Sequence, residues 1–249
     1  MKEISVIIPT ADRAEKTLSL LQRLTQQTLK PKEVIVVDNG IHKLKVNHNQ
    51  FSLEILVIRT EPRIGASRAR NIGAKSASCD YLAFIDDDDF WEPDYLEMVM
   101  QSFQETNADA VVGQLMRKKQ TNQTVKPYKQ FPKNIQHQRS VFYSNPGFGG
   151  QNLTIKRKVF LNLNGFDETM PASVDRDLAA RLILSNRKIA VQPAAKSILC
   201  DHDGARVRHS IVKGNFLFIK KHWRNMYPSE LYKAITKLLR RSVNSFIKL

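Results

Sequence analysis

Two cysteines, Cys79 and Cys200, are all that this chain of 249 residues contains. Two thiols cannot build a disulfide framework, and their separation does not match zinc-ligand spacing, so cysteine usage suits a reducing compartment. Long apolar runs are also missing. Nowhere do about eighteen apolar residues follow one another, and no transmembrane helix is expected. The opening apolar run stops at Pro9, which does not match a signal peptide. A cytoplasmic protein is therefore expected. Internal repeats and low-complexity tracts are absent. Helix-turn-helix, zinc-finger and ribonucleoprotein motifs are absent too, which argues against a nucleic-acid partner.

Negative charge is the remaining shortage. Asp and Glu number 24 against 39 Lys and Arg, a formal net charge of +15. Such an excess draws nucleic acid, anionic membrane or phosphorylated ligands. It is concentrated at one end. Residues 212–249 carry nine basic side chains against Glu230 alone, more than half of the whole excess.

Hydrophobic residues make up 42% of the chain, enough for a substantial core. Strand and helix patterns alternate through the first hundred residues. Strands are predicted at 4–8, closed by Pro9, then at 32–38, 53–58, 81–85 and 108–116. Helices are predicted at 13–27, 66–77 and 93–105. This order specifies an α/β protein with a mostly parallel sheet. Ligands bind such sheets at the carboxyl ends of the strands. Attention therefore falls on residues 9–13, 38–40 and 86–89. Residues 117–146 read as a long polar excursion. Helices are again predicted at 156–163 and 175–185, and two basic helices follow from about Ser210. In the last of these Leu231, Ala234, Ile235, Leu238, Leu239 and Phe246 recur at helical spacing among Lys233, Lys237, Arg240 and Arg241. A basic amphipathic helix either lies on an anionic leaflet or packs on the domain with a solvated basic face.

The strongest chemical feature is Phe84-Ile85-Asp86-Asp87-Asp88-Asp89. Four adjacent carboxylates repel one another unless a cation sits with them. Oxygen donors at a strand end suit Mg²⁺ or Mn²⁺ together with substrate phosphates. The other reading is a solvated acidic loop in which Asp89 caps the helix near Pro93. A calcium loop is excluded, because Trp91 stands where the turn glycine is needed.

Taken in order, the motifs resemble the family 2 glycosyltransferases over residues 4–210. Gly65-Ala66-Ser67-Arg68-Ala69-Arg70-Asn71-Ile72-Gly73 is similar to the family's G-x-x-x-A-R-N-x-G stretch, and the Asp86–Asp88 pair to its D-x-D motif. Gly149-Gly150-Gln151-Asn152 and Gly165-Phe166-Asp167-Glu168 are similar to its acceptor-side run, and Asp175 to the aspartate of its E-D pair. The resemblance implies a GT-A fold with a nucleotide-sugar-binding half at 1–116 and an acceptor-binding half at 117–210. A basic helical C-terminal extension at 211–249 follows. It implies an inverting transfer of one sugar from a nucleotide-sugar, expected to be UDP-linked, to a glycan or lipid-linked acceptor in bacterial surface polysaccharide synthesis. Mn²⁺ or Mg²⁺ is the implied cofactor.

Roles follow residue by residue. Pro9, Thr10, Ala11 and Arg13 would hold the nucleotide, and Asp38 would accept from the base, unless it serves only the Asn39-Gly40 turn. Arg70 would approach the diphosphate or base, unless it lies on a solvated helix face. Asp86 and Asp87 would face the nucleotide-sugar, and Asp88 would bind the metal. Gly149, Gly150, His202 and Arg206 would lie on the acceptor or diphosphate side, although His202 and Arg206 read equally as a surface loop. Asp175 is the expected general base, with helix capping as the other reading. Val174 departs from the family, which usually has glutamate there, and an acceptor contact is lost with it. His222-Trp223-Arg224 only superficially matches the Q-x-x-R-W motif of processive synthases, which favours addition of a single sugar. Metal-dependent nucleotidyl transfer and non-enzymatic nucleic-acid binding are the competing functions.

Overall fold

The computed structural model describes residues 3–118, 124–128, 139–200 and 208–246. In chain order its elements are β1 (Ile4–Thr10), α1 (Ala14–Leu24), β2 (Glu33–Asp38), β3 (Ile55–Arg59), α2 (Ala66–Ser76), β4 (Tyr81–Phe84), β5 (Phe90–Trp91), α3 (Tyr95–Thr106), β6 (Ala110–Lys118), β7 (Val125–Pro127), β8 (Leu153–Lys156), α4 (Arg157–Asn162), α5 (Val174–Leu184), β9 (Ile189–Cys200), α6 (Arg208–His222) and α7 (Pro228–Phe246).

One sheet runs in the order β3-β2-β1-β4-β8-β6-β9-β5, with β7 paired to β6. Every residue of β1 and β2 is buried, as central parallel strands require. Alternation sorts their side chains onto two faces. Ile7, Ile35 and Val37 join Phe84, Phe160 and Phe166 in one cluster, while Val6, Ile8, Val34 and Val36 join Leu21, Trp91 and Tyr95 in the other.

The sheet is parallel from β3 to β4, as expected, and mixed beyond it. β8 runs antiparallel to both β4 and β6. β9 pairs parallel with β6 across an irregularity at Gly113/Gln114, where Pro193, Ala194 and Ala195 are extra on the β9 side. Neither β8 nor β9 is foreseen by the sequence pattern. The helix expected from residue 156 starts one residue later, after a four-residue strand.

Pro9 does not close β1, which continues to Thr10. The β1–β4 pairing ends at Ile7 opposite Phe84, while Pro9 and Thr10 pair only with β2. Proline sits there at a place where the sheet is already one-sided. The strand order reverses between β1 and β4, so their carboxyl ends diverge into a crevice, the usual ligand position in an open α/β sheet.

The basic C-terminal helices pack on this body. Phe218 of α6 is fully buried in the same cluster as Phe166, and Ala234 of α7 is buried as well. The bidentate ion pair of Arg139 with Glu230, at 2.8 and 2.7 Å, fixes the start of α7.

Candidate functional site

The crevice between β1 and β4 is a cleft of about 280 Å³ lined by Pro9, Thr10, Ala11, Arg13, Asn39, Ala66, Arg70, Asp86 and Asp87. Its floor is built by the acidic run that follows β4. Asp87 is buried, and its carboxylate accepts from Thr10 Oγ1 at 2.7 Å and from Arg13 Nη1 at 3.0 Å. Burial pushes the Asp87 carboxyl above its ordinary value in spite of those two donors. Arg13 Nη1 also donates to Asp88 Oδ2 at 2.5 Å. Asp86 pairs with Arg70 Nη2. Asp89 turns away and accepts from the N–H of Cys200 at 3.0 Å, tying the end of β9 to the run. Three of the four carboxylates are therefore paired, in this structure, with two arginines.

Arg70 is the meeting point of the sequence motifs. It is buried on α2, so the solvated-face reading does not apply. Burial works against its charge, but the carboxylates of Asp86, Asp175 and Asp89 outweigh burial and raise its pKa. A Cβ added to Gly150 would meet Arg70 Cζ and Nη2 at 3.0 Å, so the glycine lets this backbone lie against the guanidinium without pushing it. The Phe166 ring lies 5.4 Å from Arg70 Cζ. The next residue, Asn71, grips the Gly165-Phe166 run by its backbone: its Nδ2 donates to Phe166 O at 2.8 Å and its Oδ1 accepts from Phe166 N at 2.9 Å. Gly165 has φ 63°, a conformation costly for other residues, and its missing Cβ leaves room for Asn71 Oδ1.

Asp175 lies in the first turn of α5, where a helix N-terminus favours a carboxylate. Two residues on, Asp177 is fully buried and accepts from Arg181, Lys221 and His222 at 2.7, 2.9 and 2.8 Å. Asp177 thus clamps α6 against α5 and fixes the helix that carries Asp175.

Asp38 lines an adjoining pocket with Thr10, Asp12 and Arg13. Its carboxylate serves its own loop, accepting from Gly40 N at 3.0 Å, Leu44 N at 2.8 Å and Arg59 Nη1 at 2.6 Å. Asp88 is not among the described residues lining the cleft and reaches it through Arg13. Gly149 donates its N–H to Asn152 Oδ1 at 2.8 Å, and Asn152 Nδ2 in turn donates to Gly113 O at 2.6 Å, which positions the Gly149-Gly150 turn on β6. His202 and Arg206 lie outside the described residues.

Three contributors are not singled out by sequence reasoning. Asn39 lines the cleft and donates to Thr10 O at 2.7 Å. Asn71 ties α2 to the Gly165-Phe166 turn, and Asp177 holds α6. Asn39 reads as turn punctuation before Gly40, while Asn71 stands inside a motif whose arginine attracts the attention.

The glycosyl transferase family 2 profile matches residues 5–163. An uncharacterized glycosyltransferase of Haemophilus influenzae is 29% identical over 184 residues, covering 72% of this chain and 62% of that one. The amylovoran biosynthesis glycosyltransferase AmsB of Erwinia amylovora is 35% identical over 105 residues, covering 39% of this chain and 35% of its own. The chain thus spans less than two thirds of these curated relatives. Among solved structures, S. aureus TarS in complex with UDP-GlcNAc superimposes with a TM-score of 0.71 at 19% identity, covering 96% of this chain and 72% of that one. At that identity the likeness establishes a shared fold, of the GT-A type.

Proposed function

Since the chain belongs to glycosyl transferase family 2, we propose that it transfers a single sugar, with inversion, from a UDP-sugar to an acceptor hydroxyl. The observation that carries this reading is the place of Arg70. It pairs with Asp86 in the cleft and lies close enough to Asp175 to feel its charge. A donor in the cleft and a carboxylate base near it are what an in-line displacement at an anomeric carbon needs.

In this reading Thr10, Ala11 and Arg13 hold the nucleotide at the crevice, and Asp38 shapes the base-side pocket. Asp86 faces the nucleotide-sugar. Asp175 takes the proton of the acceptor hydroxyl as the new C1–O bond forms and the bond from C1 to the diphosphate breaks. The transition state has oxocarbenium character, as in glycoside hydrolysis. Arg13 and Arg70 stand where negative charge gathers on the leaving diphosphate. Gly149 and Gly150 back Arg70 on the acceptor side, and His202 and Arg206 follow β9.

A divalent cation fits the donor set in one specific way. Among the described residues no cluster of three or more His, Cys, Asp or Glu side chains could cage a metal. Mg²⁺ and Mn²⁺ need no cage, because one or two carboxylates and the substrate's phosphates suffice. Asp88 is the residue to hold it, once the half-exposed Arg13 gives up that carboxylate. Bound there, the cation would supply Lewis-acid stabilisation of the departing diphosphate.

Support for uridine comes from the TarS structures, which hold UDP-GlcNAc and UDP. Support for an acceptor in surface polysaccharide synthesis comes from the amylovoran relative. A lipid-linked glycan, presented at the cytoplasmic face of a membrane, is the acceptor class proposed. No described helix is long and apolar enough to cross a membrane. The deciding experiment is a panel of nucleotide-sugars with UDP release as readout and the anomeric configuration of the product read by NMR. Consumption of a nucleoside triphosphate with release of pyrophosphate would replace this reading with nucleotidyl transfer.

A further inference from the structure

Helix α7 has apolar residues on both sides. Ala234 and Glu230 face the body and are buried, with Leu231 and Leu238 half-buried beside them. On the outer side Tyr232, Ile235 and Leu239 stand in solvent, with Tyr232 70% and Leu239 58% exposed. At about 100° per residue these three fall within an arc of roughly 60°. Lys233 and Arg240, one heptad apart and both exposed, border the stripe. The turn leading into α7 continues the pattern. Trp223 and Tyr227 are exposed, Arg224 lies over the Trp223 ring and Arg139 over the Tyr227 ring at 4.0 Å.

Acidic side chains do not offset this charge. Glu230 is the only carboxylate side chain between residues 212 and 249, and it is buried against Arg139. A solvent-facing helix ordinarily turns polar groups outward. Here the outward face is aromatic and aliphatic, with cations along one flank.

We propose that this face of α7, with Trp223 and Tyr227 at its entrance, is a docking surface for an anionic lipid leaflet. The occupant follows from complementarity. Apolar side chains on a convex helix enter the headgroup region, aromatic rings settle at that depth, and the cations meet lipid phosphates. A second copy of the chain would bring the same positive face against itself, which like charge opposes.

The surface is rigidly joined to the site. Lys221 pairs with Asp167 at 2.6 Å and with Asp177 at 2.9 Å, and Arg139 pairs with Glu230. Docking α7 therefore fixes the orientation of α5 and Asp175 relative to the leaflet. That consequence rests on the proposed sugar transfer, whereas the lipid contact does not.

The test is co-sedimentation of the full chain with vesicles containing phosphatidylglycerol and with vesicles of phosphatidylcholine alone. Donor, acceptor and metal are left out, so failure of the transfer reading cannot affect the result. UDP binding by calorimetry on the same samples reports the cleft separately. Two variants avoid the packed face: Tyr232→Gln/Ile235→Gln/Leu239→Gln, which keeps good helix formers, and Arg224→Glu/Arg240→Glu. The parent should bind the anionic vesicles selectively and be released by high salt. Each variant should partition about tenfold more weakly or worse, with UDP affinity and melting temperature unchanged. Equal partition of parent and variants, or no preference for anionic over neutral vesicles, overturns the proposal. So does a salt-resistant dimer of the parent that the apolar variant abolishes.

Discussion

Arg70 of α2 and Asp86, two residues beyond β4, form an ion pair, and the same guanidinium lies against the backbone of Gly150. One side chain thereby sets the distance between the Asp86 carboxylate and the Gly149-Gly150 turn. Arg70→Lys keeps the charge but loses the planar fork and its several donors. Turnover should fall about tenfold or more, with a smaller change in UDP affinity. Gly150→Ala should act in the same direction and more weakly, since its Cβ would press on the guanidinium. Steady-state kinetics beside calorimetry on both variants checks this. Unchanged turnover in both would remove Arg70 from the site.

Asp175→Asn should retain donor binding and lose about a hundredfold or more in turnover, the usual worth of a positioned base. Because Asp177 rather than Asp175 clamps α6, the variant should melt close to the parent. Normal turnover in the folded variant would assign proton removal to another group.

Asp88→Ala should abolish any enhancement of UDP binding by Mn²⁺ or Mg²⁺. Arg13 competes with a cation for the same carboxylate, so Arg13→Gln should make UDP binding more dependent on the metal. Calorimetry with and without EDTA decides both. UDP affinity indifferent to EDTA in the parent would exclude the cation from donor binding.

Acid stability should centre on Asp177. Burial opposes its charge, but His222, Arg181 and Lys221 outweigh burial and hold the carboxyl well below its ordinary range. A depressed folded-state pKa contributes stability above the unfolded value of about 4 and loses it as pH falls through the folded value. Asp167 and Glu230, which also bind the C-terminal helices to the body, are lowered in the same sense. Urea midpoints should therefore drop steeply below about pH 4. Asp177→Asn should cost about 3 kcal/mol or more at neutral pH, as breaking a buried ion pair does, and should flatten the acid slope. An unaltered slope in the variant would place the acid sensitivity elsewhere.

The sequence discloses the parallel half of the fold well, because β1, β2 and β4 are short buried runs ended by turn or acidic residues. It hides β8 and β9 for physical reasons. Leu153–Lys156 is four residues long and leads directly into a helix, so its periodicity never develops. In β9, Pro193-Ala194-Ala195 interrupts the alternation where the strand bulges past Gly113. The site divides similarly. Thr10, Arg13, Arg70, Asp86 and Asp87 come together as the motifs suggest. The repulsion within Asp86-Asp87-Asp88-Asp89 correctly demands cations, but spacing cannot reveal that Arg13 and Arg70, 16 or more residues away, are there to meet it. Nor does it reveal how fully Asp38 is occupied by its own loop, since Arg59 reaches it from the neighbouring strand.

The bond from Asn71 to Phe166 spans 95 residues of chain. During synthesis, β1, β2, β3 and β4 can pair as soon as they are made, while Asn71 must wait until Phe166 exists. Loops of that length close slowly relative to local structure. The cleft accordingly matures after the strands that flank it, and a nascent or arrested chain ending before Phe166 would display Arg70 and the acidic run without their keystone. Ribosome-bound chains of graded length should acquire UDP binding abruptly, over the few residues that bring Phe166 clear of the exit tunnel, after β1 to β4 have paired.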